Sequence, residues 1–215
     1  MQLLDGNNIT LKNGTLKVAD GAAQSFGVLV QNYSNLTVTD MTLDGTNLDK
    51  SALTDGDSYV LSNKSGTVSV NGDTNIIANN DGDKAVAFDV CQYGDYAAPS
   101  VSIDITGTVY GKIEVSESIA ENLTVKNGRF ENSNIMDVAN ISKKCGIKLV
   151  DGVYTVAGDS IIADIDGSGT VDANDITNIR KQLLGVSLDQ GYYDINGDGN
   201  FNIIDLIRIK KLAAS

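Results

Sequence analysis

Two twelve-residue segments constrain this chain more than anything else in it. Residues 164–175 read DIDGSGTVDAND and residues 194–205 read DINGDGNFNIID. Aligned, they share Asp at position 1, a polar oxygen donor at positions 3 and 5, Gly at 6 and Asp at 12. Alternate positions on a tightly coiled loop aim their oxygens at one centre. Glycine at position 6, here Gly169 and Gly199, permits the sharp turn that brings the later donors round. A donor set made only of oxygen suits Ca2+, a hard cation that takes about six to eight such ligands. One Asp/Asn/Gly-rich segment commonly means a solvated turn. Two in register are hard to produce by chance.

The first loop offers Asp164, Asp166, Ser168, the Thr170 carbonyl and Asp175, with Asp172 acting through water. The second offers Asp194, Asn196, Asp198, the Asn200 carbonyl and Asp205, with Asn202 in the water-mediated place. An ordinary EF-hand loop ends in Glu and carries a helix on each side. Each loop here ends in Asp, and the pattern shows only a following helix, ITNIRKQLL from Ile176 and LIRIKKLAA from Leu206. Apolar residues at Val171, Ile176, Ile179 and Leu183 recur as Phe201, Leu206, Ile209 and Ala213, a core shared between the halves. So small a core rarely stands alone, so bound metal should supply much of its folding free energy.

This duplicated loop-plus-exiting-helix unit resembles the type I-like dockerin family over about residues 161–215. The resemblance implies a small three-helix domain with two structural calcium ions that binds a cohesin. Cohesins are modules of scaffoldins or cell-surface proteins in the cellulosome-like assemblies of polysaccharide-degrading anaerobic bacteria. It also implies where the partner sits: just before the last loop ligand and midway along each helix. Those positions are Ala173, Asn174, Arg180 and Lys181 in the first half, and Ile203, Ile204, Lys210 and Lys211 in the second. Family members with Ser-Thr at both places can bind in two orientations. Here Ala-Asn faces Ile-Ile, so one orientation and a cohesin of different preference are expected. From Asp164 onward there are eight acids and five bases, a net of −3 that two Ca2+ would turn to +1.

Before about Val156 the period is two, as in half-buried strands. One phrase returns: NNITLKNGTL from Asn7, NLTVTDMTL from Asn35, SVSIDITGTV from Ser100, NLTVKNGRF from Asn122, and more weakly GTVSVNGDTNI from Gly66. In the strong copies an apolar pair two apart (Ile9/Leu11, Leu36/Val38, Val101/Ile103, Leu123/Val125) precedes a polar or glycine turn. Repetition at this spacing suggests a solenoid, with three short strands per coil and each inward residue meeting its counterpart one coil away. The expected fold is therefore a mainly β, right-handed parallel β-helix-like domain over 1–157, a short linker at 158–163, and the α-helical module with paired EF-hand-like loops over 164–215. An antiparallel β-sandwich with accidentally similar strands is the alternative. Uneven intervals predict loops on some coils, notably residues 92–100. The phrases resemble the pectin-lyase-like β-helices of bacterial surface proteins. Residues 122–156 resemble the terminal unit of that group, whose hairpin turn would be VDGV at 150–153.

Composition narrows the function. Hydrophobic residues make up 41% of the chain but aromatics only 6%, with no Trp, so the core must be aliphatic. A net charge of −12 is the wrong sign for nucleic acid or anionic membrane surfaces. The absence of histidine removes the most common general base and zinc ligand. Lyase chemistry needs a strong base beside carboxylate-held calcium, yet Arg129 is the one arginine before the final module and no acidic cluster is visibly paired with it. No catalytic residue is therefore assigned, and the β-region reads as a stalk or adhesive domain. The alternative is a carbohydrate-binding or polysaccharide-degrading β-helix. For a polysaccharide partner, Tyr93 and Tyr96 form the one local aromatic cluster of the β-region. Cys91 and Cys145 allow one disulfide or two buried thiols. The Asn-x-Ser/Thr triplets at Asn8, Asn13, Asn35 and Asn122 read as turn asparagines rather than glycosylation sites. No segment is apolar enough to span a bilayer. The chain opens in mid-pattern, so a secreted, cell-surface-associated protein with an export signal upstream of Met1 is expected.

Overall fold

The computed structural model describes residues 1–21, 26–54, 56–80, 82–135, 140–141, 146–150, 152–157, 163–166, 168, 170–186, 195 and 201–214. These residues are mostly β, with a small helical region at the C-terminal end. Fourteen strands are described: β1 Gln2–Leu3, β2 Asn8–Lys17, β3 Val28–Asn32, β4 Asn35–Asp44, β5 Ser58–Asn63, β6 Thr67–Gly72, β7 Asn75–Ile77, β8 Ala85–Val90, β9 Ser100–Tyr110, β10 Lys112–Val115, β11 Leu123–Phe130, β12 Asn140–Ile141, β13 Gly146–Val150 and β14 Val153–Ala157. Two helices follow, α1 Ala173–Leu183 and α2 Ile203–Ala213.

The chain shuttles between two sheets. One has the order β1-β3-β5-β8-β10, all parallel. The other runs β2-β4-β6-β9-β11 in parallel, with β7 between β4 and β9. It becomes mixed at its end, where β14 adds antiparallel to β11 and β13 to β14. Parallel pairing of every repeated phrase is not what an antiparallel sandwich would produce. The β13–β14 hairpin brings Val150 opposite Val153, with Gly152 at φ 78°, in the place the VDGV turn predicted.

Register explains the recurring phrase. Ile9, Leu36, Val68, Val101 and Leu123 lie side by side in successive strands, as do Leu11, Val38, Val70, Ile103 and Val125. A third ladder runs Leu16, Leu43, Ile76, Val109, Phe130. These side chains form one core with Val30, Leu61, Phe88 and Ile113 of the facing ladder, and it is not wholly aliphatic as expected, since Phe88 and Phe130 are among its largest fully buried side chains. The polar turn inside each phrase is a corner. Asn13, Asp40 and Gly72 follow the in-register residues Lys12, Thr39 and Asn71, and all three have positive φ, at 56°, 52° and 65°. At Gly72 a Cβ would lie 2.3 Å from Asp40 Oδ1, the oxygen that accepts from Asp73 N at 3.0 Å.

The first sheet is less aliphatic than its burial suggests. Asn32, Ser62, Asn63 and Asp89 are all buried. Asp89 Oδ1 accepts from Asn63 N at 2.9 Å, and Asp89 Oδ2 meets Lys64 Nζ at 2.6 Å. Burial pushes the Asp89 carboxyl above the usual carboxylate range, against the opposing pull of Lys64. Burial also draws the Lys64 ammonium down. The charge of Asp89 and its hydrogen bond outweigh this and hold it above its ordinary value. Cys91 is a free thiol; Cys145, its suggested partner, lies outside the described residues.

The helical region has a separate core of Ala163, Ile165, Ile179, Ile195, Leu206 and Ile209, with Val171, Ile176, Leu183 and Phe201 packed around it. Ala163, placed in the linker from sequence, belongs to this core. No helix among the described residues is long and apolar enough to cross a membrane.

Candidate metal centre

Position 12 organises each half of the module. Asp175 is fully buried, and its carboxylate reaches back across its loop. Oδ1 accepts from Ile165 N at 2.6 Å and Asp166 N at 3.2 Å, and Oδ2 accepts from Asp172 N at 2.7 Å. Asp205, also fully buried, repeats this: Oδ1 accepts from Ile195 N at 2.7 Å and Oδ2 from Asn202 N at 2.8 Å. Position 9 starts the helix in both halves. Asp172 Oδ1 accepts from Asn174 N at 2.7 Å and Asn202 Oδ1 from Ile204 N at 2.8 Å. Each helix therefore begins with a reciprocal capping box, in which Asp at the third helical position takes the part usually played by Glu or Gln.

This cap moves both helix starts three residues ahead of the sequence expectation, to Ala173 and Ile203. It also gives Asp172 and Asn202 a different first duty from the water-mediated contact expected of them. The signal was present as D-x-x-D and N-x-x-D before an apolar run. Sequence reasoning also missed Ile165 and Ile195 at loop position 2, which fold inward to the shared core.

Carboxylate oxygens of Asp164, Asp166 and Asp175 all lie within 4.8 Å of one another. Ser168 N donates to Asp164 Oδ1 and to Asp166 Oδ1, at 3.0 Å each. Ser168 Oγ lies 3.2 Å from the Thr170 carbonyl oxygen, so positions 5 and 7 are adjacent as well. At the outer limit of that separation, two carboxylates repel by about 1 kcal/mol in water-like dielectric and about 3.5 kcal/mol at an effective dielectric of about 20. A cation among them reverses the sign of that cost. The donor set is wholly oxygen, carboxylate-rich and of mixed side-chain and carbonyl origin, which fits Ca2+. Asp164, Asp166, Ser168, Thr170 and Asp175 would hold the ion. It would supply a cross-link between the loop and the start of α1. Asp194, Asn196, Asp198 and Asn200 of the second loop lie outside the described residues.

All eight partner positions named from sequence are exposed: Ala173, Asn174, Arg180 and Lys181 on α1, and Ile203, Ile204, Lys210 and Lys211 on α2. Ile203 is 59% exposed and Ile204 51%, so neither is a packing residue of the module. Ile207, one turn on, is 49% exposed and extends the same apolar surface. Its counterpart in the first half is Thr177, whose hydroxyl bonds the Ala173 carbonyl. The two helices thus share a backbone plan and present different faces.

Residues 162–212 match the family model of the dockerin type I domain. No curated protein and no solved structure matches the chain.

Proposed function

We propose that this is a non-catalytic component of a secreted bacterial assembly, plugged by its C-terminal dockerin into a cohesin of a scaffoldin or cell-surface protein. The convergence of Asp164, Asp166 and Asp175 within the matched segment carries this reading. Two calcium ions, one per loop, hold α1 and α2 in place. The second ion sits on Asp194, Asn196, Asp198, Asn200 and Asp205, because the flanks of that loop repeat those of the first to within 0.1 Å in three corresponding hydrogen bonds (2.6 and 2.7, 2.7 and 2.8, 2.7 and 2.8 Å).

Docking runs through α2. Ile203, Ile204 and Ile207 make an exposed apolar strip beside Lys210 and Lys211, the type of centre that dominates binding energy when a partner covers it. Ala173, Asn174 and Thr177 offer no such strip, so one orientation dominates. The β-region is a right-handed parallel β-helix of the pectin-lyase-like kind, because parallel crossovers within a sheet take that hand almost without exception. Its role is that of a stalk or adhesive domain.

Titration of the whole chain against a panel of cohesins, with Ca2+ and then with EDTA, tests the proposal. Saturable binding that disappears in chelator and returns with Ca2+ is expected. Binding that persists in EDTA, or no binding to any cohesin, would overturn it.

A further inference from the structure

The corner where the first sheet ends carries a feature unrelated to docking. Tyr33, Lys64 and Cys91 follow the ends of β3, β5 and β8, stacked one above the other by backbone bonds from Lys64 N to Asn32 O (2.8 Å) and Cys91 N to Asn63 O (3.0 Å). From this corner the chain leaves the coil as an excursion over residues 91–99, and two rings on it fold back onto Tyr33. Tyr93 meets Tyr33 edge-on at 6.1 Å between centroids, and Tyr96 is tilted against it at 5.0 Å. Tyr33 is 8% exposed, whereas Tyr93 is 58% and Tyr96 40% exposed. One ring is the foundation and two are the surface.

The excursion is tied down along its length. Gln92 Nε2 donates to Tyr96 O at 2.8 Å, Tyr96 N to Tyr93 O at 3.2 Å, Ser65 Oγ to Ala97 O at 2.9 Å and Asn122 Nδ2 to Pro99 O at 2.9 Å. Two large rings held rigidly in water gain little for the fold, whereas a ligand that stacks on them loses little entropy on binding. The surroundings select its chemistry. Residues 91–99 contain no Lys or Arg, the neighbouring Lys64 is committed to Asp89, and Asp95 and Gln92 are exposed at the rim. A polyanion finds no countercharge here. A neutral, hydroxyl-rich chain finds ring faces for its C–H groups, with an amide and a carboxylate for its hydroxyls.

We propose that Tyr93 and Tyr96, backed by Tyr33, form a stacking platform for a neutral polysaccharide. This makes the β-region the part of the molecule that meets carbohydrate. It does not depend on the docking proposal, since none of its residues lies in the calcium loops.

Affinity gel electrophoresis of the whole chain, in gels containing a neutral glucan, xylan or mannan or, separately, polygalacturonate, tests it. A printed array of neutral and acidic glycans widens the search. Retardation by at least one neutral polysaccharide is expected, undiminished by EDTA, which abolishes cohesin docking. Tyr93→Ala and Tyr96→Ala should each weaken binding roughly tenfold and together abolish it, while Tyr93→Phe should retain it. Both residues are exposed, so a thermal melt of each variant should match the parent. Failure of every neutral glycan on gel and array, binding confined to polygalacturonate, or full binding by the double variant would overturn the assignment.

Discussion

Replacing Asp175 with Ala tests the architecture of the metal centre most directly, because that carboxylate has two duties. It accepts three backbone N–H groups, two of them at 2.6 and 2.7 Å, and it supplies an oxygen to the three-carboxylate cluster. A hydrogen bond to a charged group is worth about 1.5–3 kcal/mol net. Counting only the two short ones, Asp175→Ala should cost about 3–6 kcal/mol before any loss of metal. The Ile165 N–H is left without this partner where it is buried. The six buried side chains of its core among the described residues do not offset that, since small scaffolds seldom hold more than about 3–5 kcal/mol in hand.

Asp172→Ala supplies the control. Its carboxylate caps α1 through Asn174 N, and loss of such a cap typically costs about 1 kcal/mol. The two variants remove the same charge from the same loop, three residues apart, so simple electrostatics predicts equal effects. On the proposed two-ion reading, Asp172→Ala should fold in excess Ca2+ and bind both ions. Asp175→Ala should lose the first ion and the helical signal of α1. Calcium titration by calorimetry, with far-UV circular dichroism over a thermal ramp, reads both. Calcium at a hundred times its dissociation constant adds only about 2.7 kcal/mol per site, so excess metal should not rescue Asp175→Ala. Two sites of parental affinity in Asp175→Ala, or equal stability in the two variants, would refute the reasoning.

In the β-region, Lys64→Met leaves the Asp89 carboxylate buried without its cation and should cost about 3–5 kcal/mol by denaturant titration, with Lys64→Met/Asp89→Leu recovering most of it. Burial raises the folded-state pKa of Asp89. Its contribution in Lys64→Met is therefore fully present below the unfolded value of about 3.9 and lost as pH rises through the folded value, so the variant's deficit should narrow on acidification. Lys64, also raised, contributes below about 10.4 and is lost as pH rises through its folded value, so the parent should weaken in strong alkali. On the proposed docking face, Ile203→Asp/Ile204→Asp should weaken cohesin binding at least about a hundredfold by calorimetry, whereas Ala173→Asp/Asn174→Asp should change it about threefold or less. Comparable losses from the two pairs would remove the case for a single orientation.

Sequence and structure agree where one face of an element is buried and the other is wet. Leu36/Val38 and Val101/Ile103 could be read as strands because Thr37 and Ser102 between them are only half-buried. The strands of the first sheet were not singled out. All six residues of β8 are buried, and β5 is buried at five of six positions, including Ser58, Ser62 and Asn63. A strand covered on both faces has no alternation to reveal it, and buried polar residues break the apolar run that would otherwise mark it. Tyr33 escaped notice for a related reason. Its sixty-residue separation from Tyr93 becomes contact only through the parallel pairing of β3, β5 and β8. The convergence of Asp164, Asp166 and Asp175 is legible because their spacing is a local property of one tight turn. The capping boxes are local too, but position 9 of such a loop reads first as a metal position.

The two regions differ in what holds them together, and charge adds to that difference. Residues 1–163 carry −9, obtained as −12 for the chain less −3 for the module. Their apolar ladders run through five strands and share one core. The module has a short described core and clustered carboxylates, so under the proposed loading its fold and its sign should both follow calcium. With two ions bound it becomes +1 beside −9. Such a molecule presents an acidic partner with repulsion at the β-region and Arg180, Lys181, Lys210 and Lys211 at the helices. Encounter is then biased toward the helical end before any contact forms, an effect that weakens as salt shortens the screening length. Without the proposed ions the module carries −3, and its core would lack their cross-links. On the proposed two-ion reading, removal of calcium should therefore abolish the orienting field and the binding surface together.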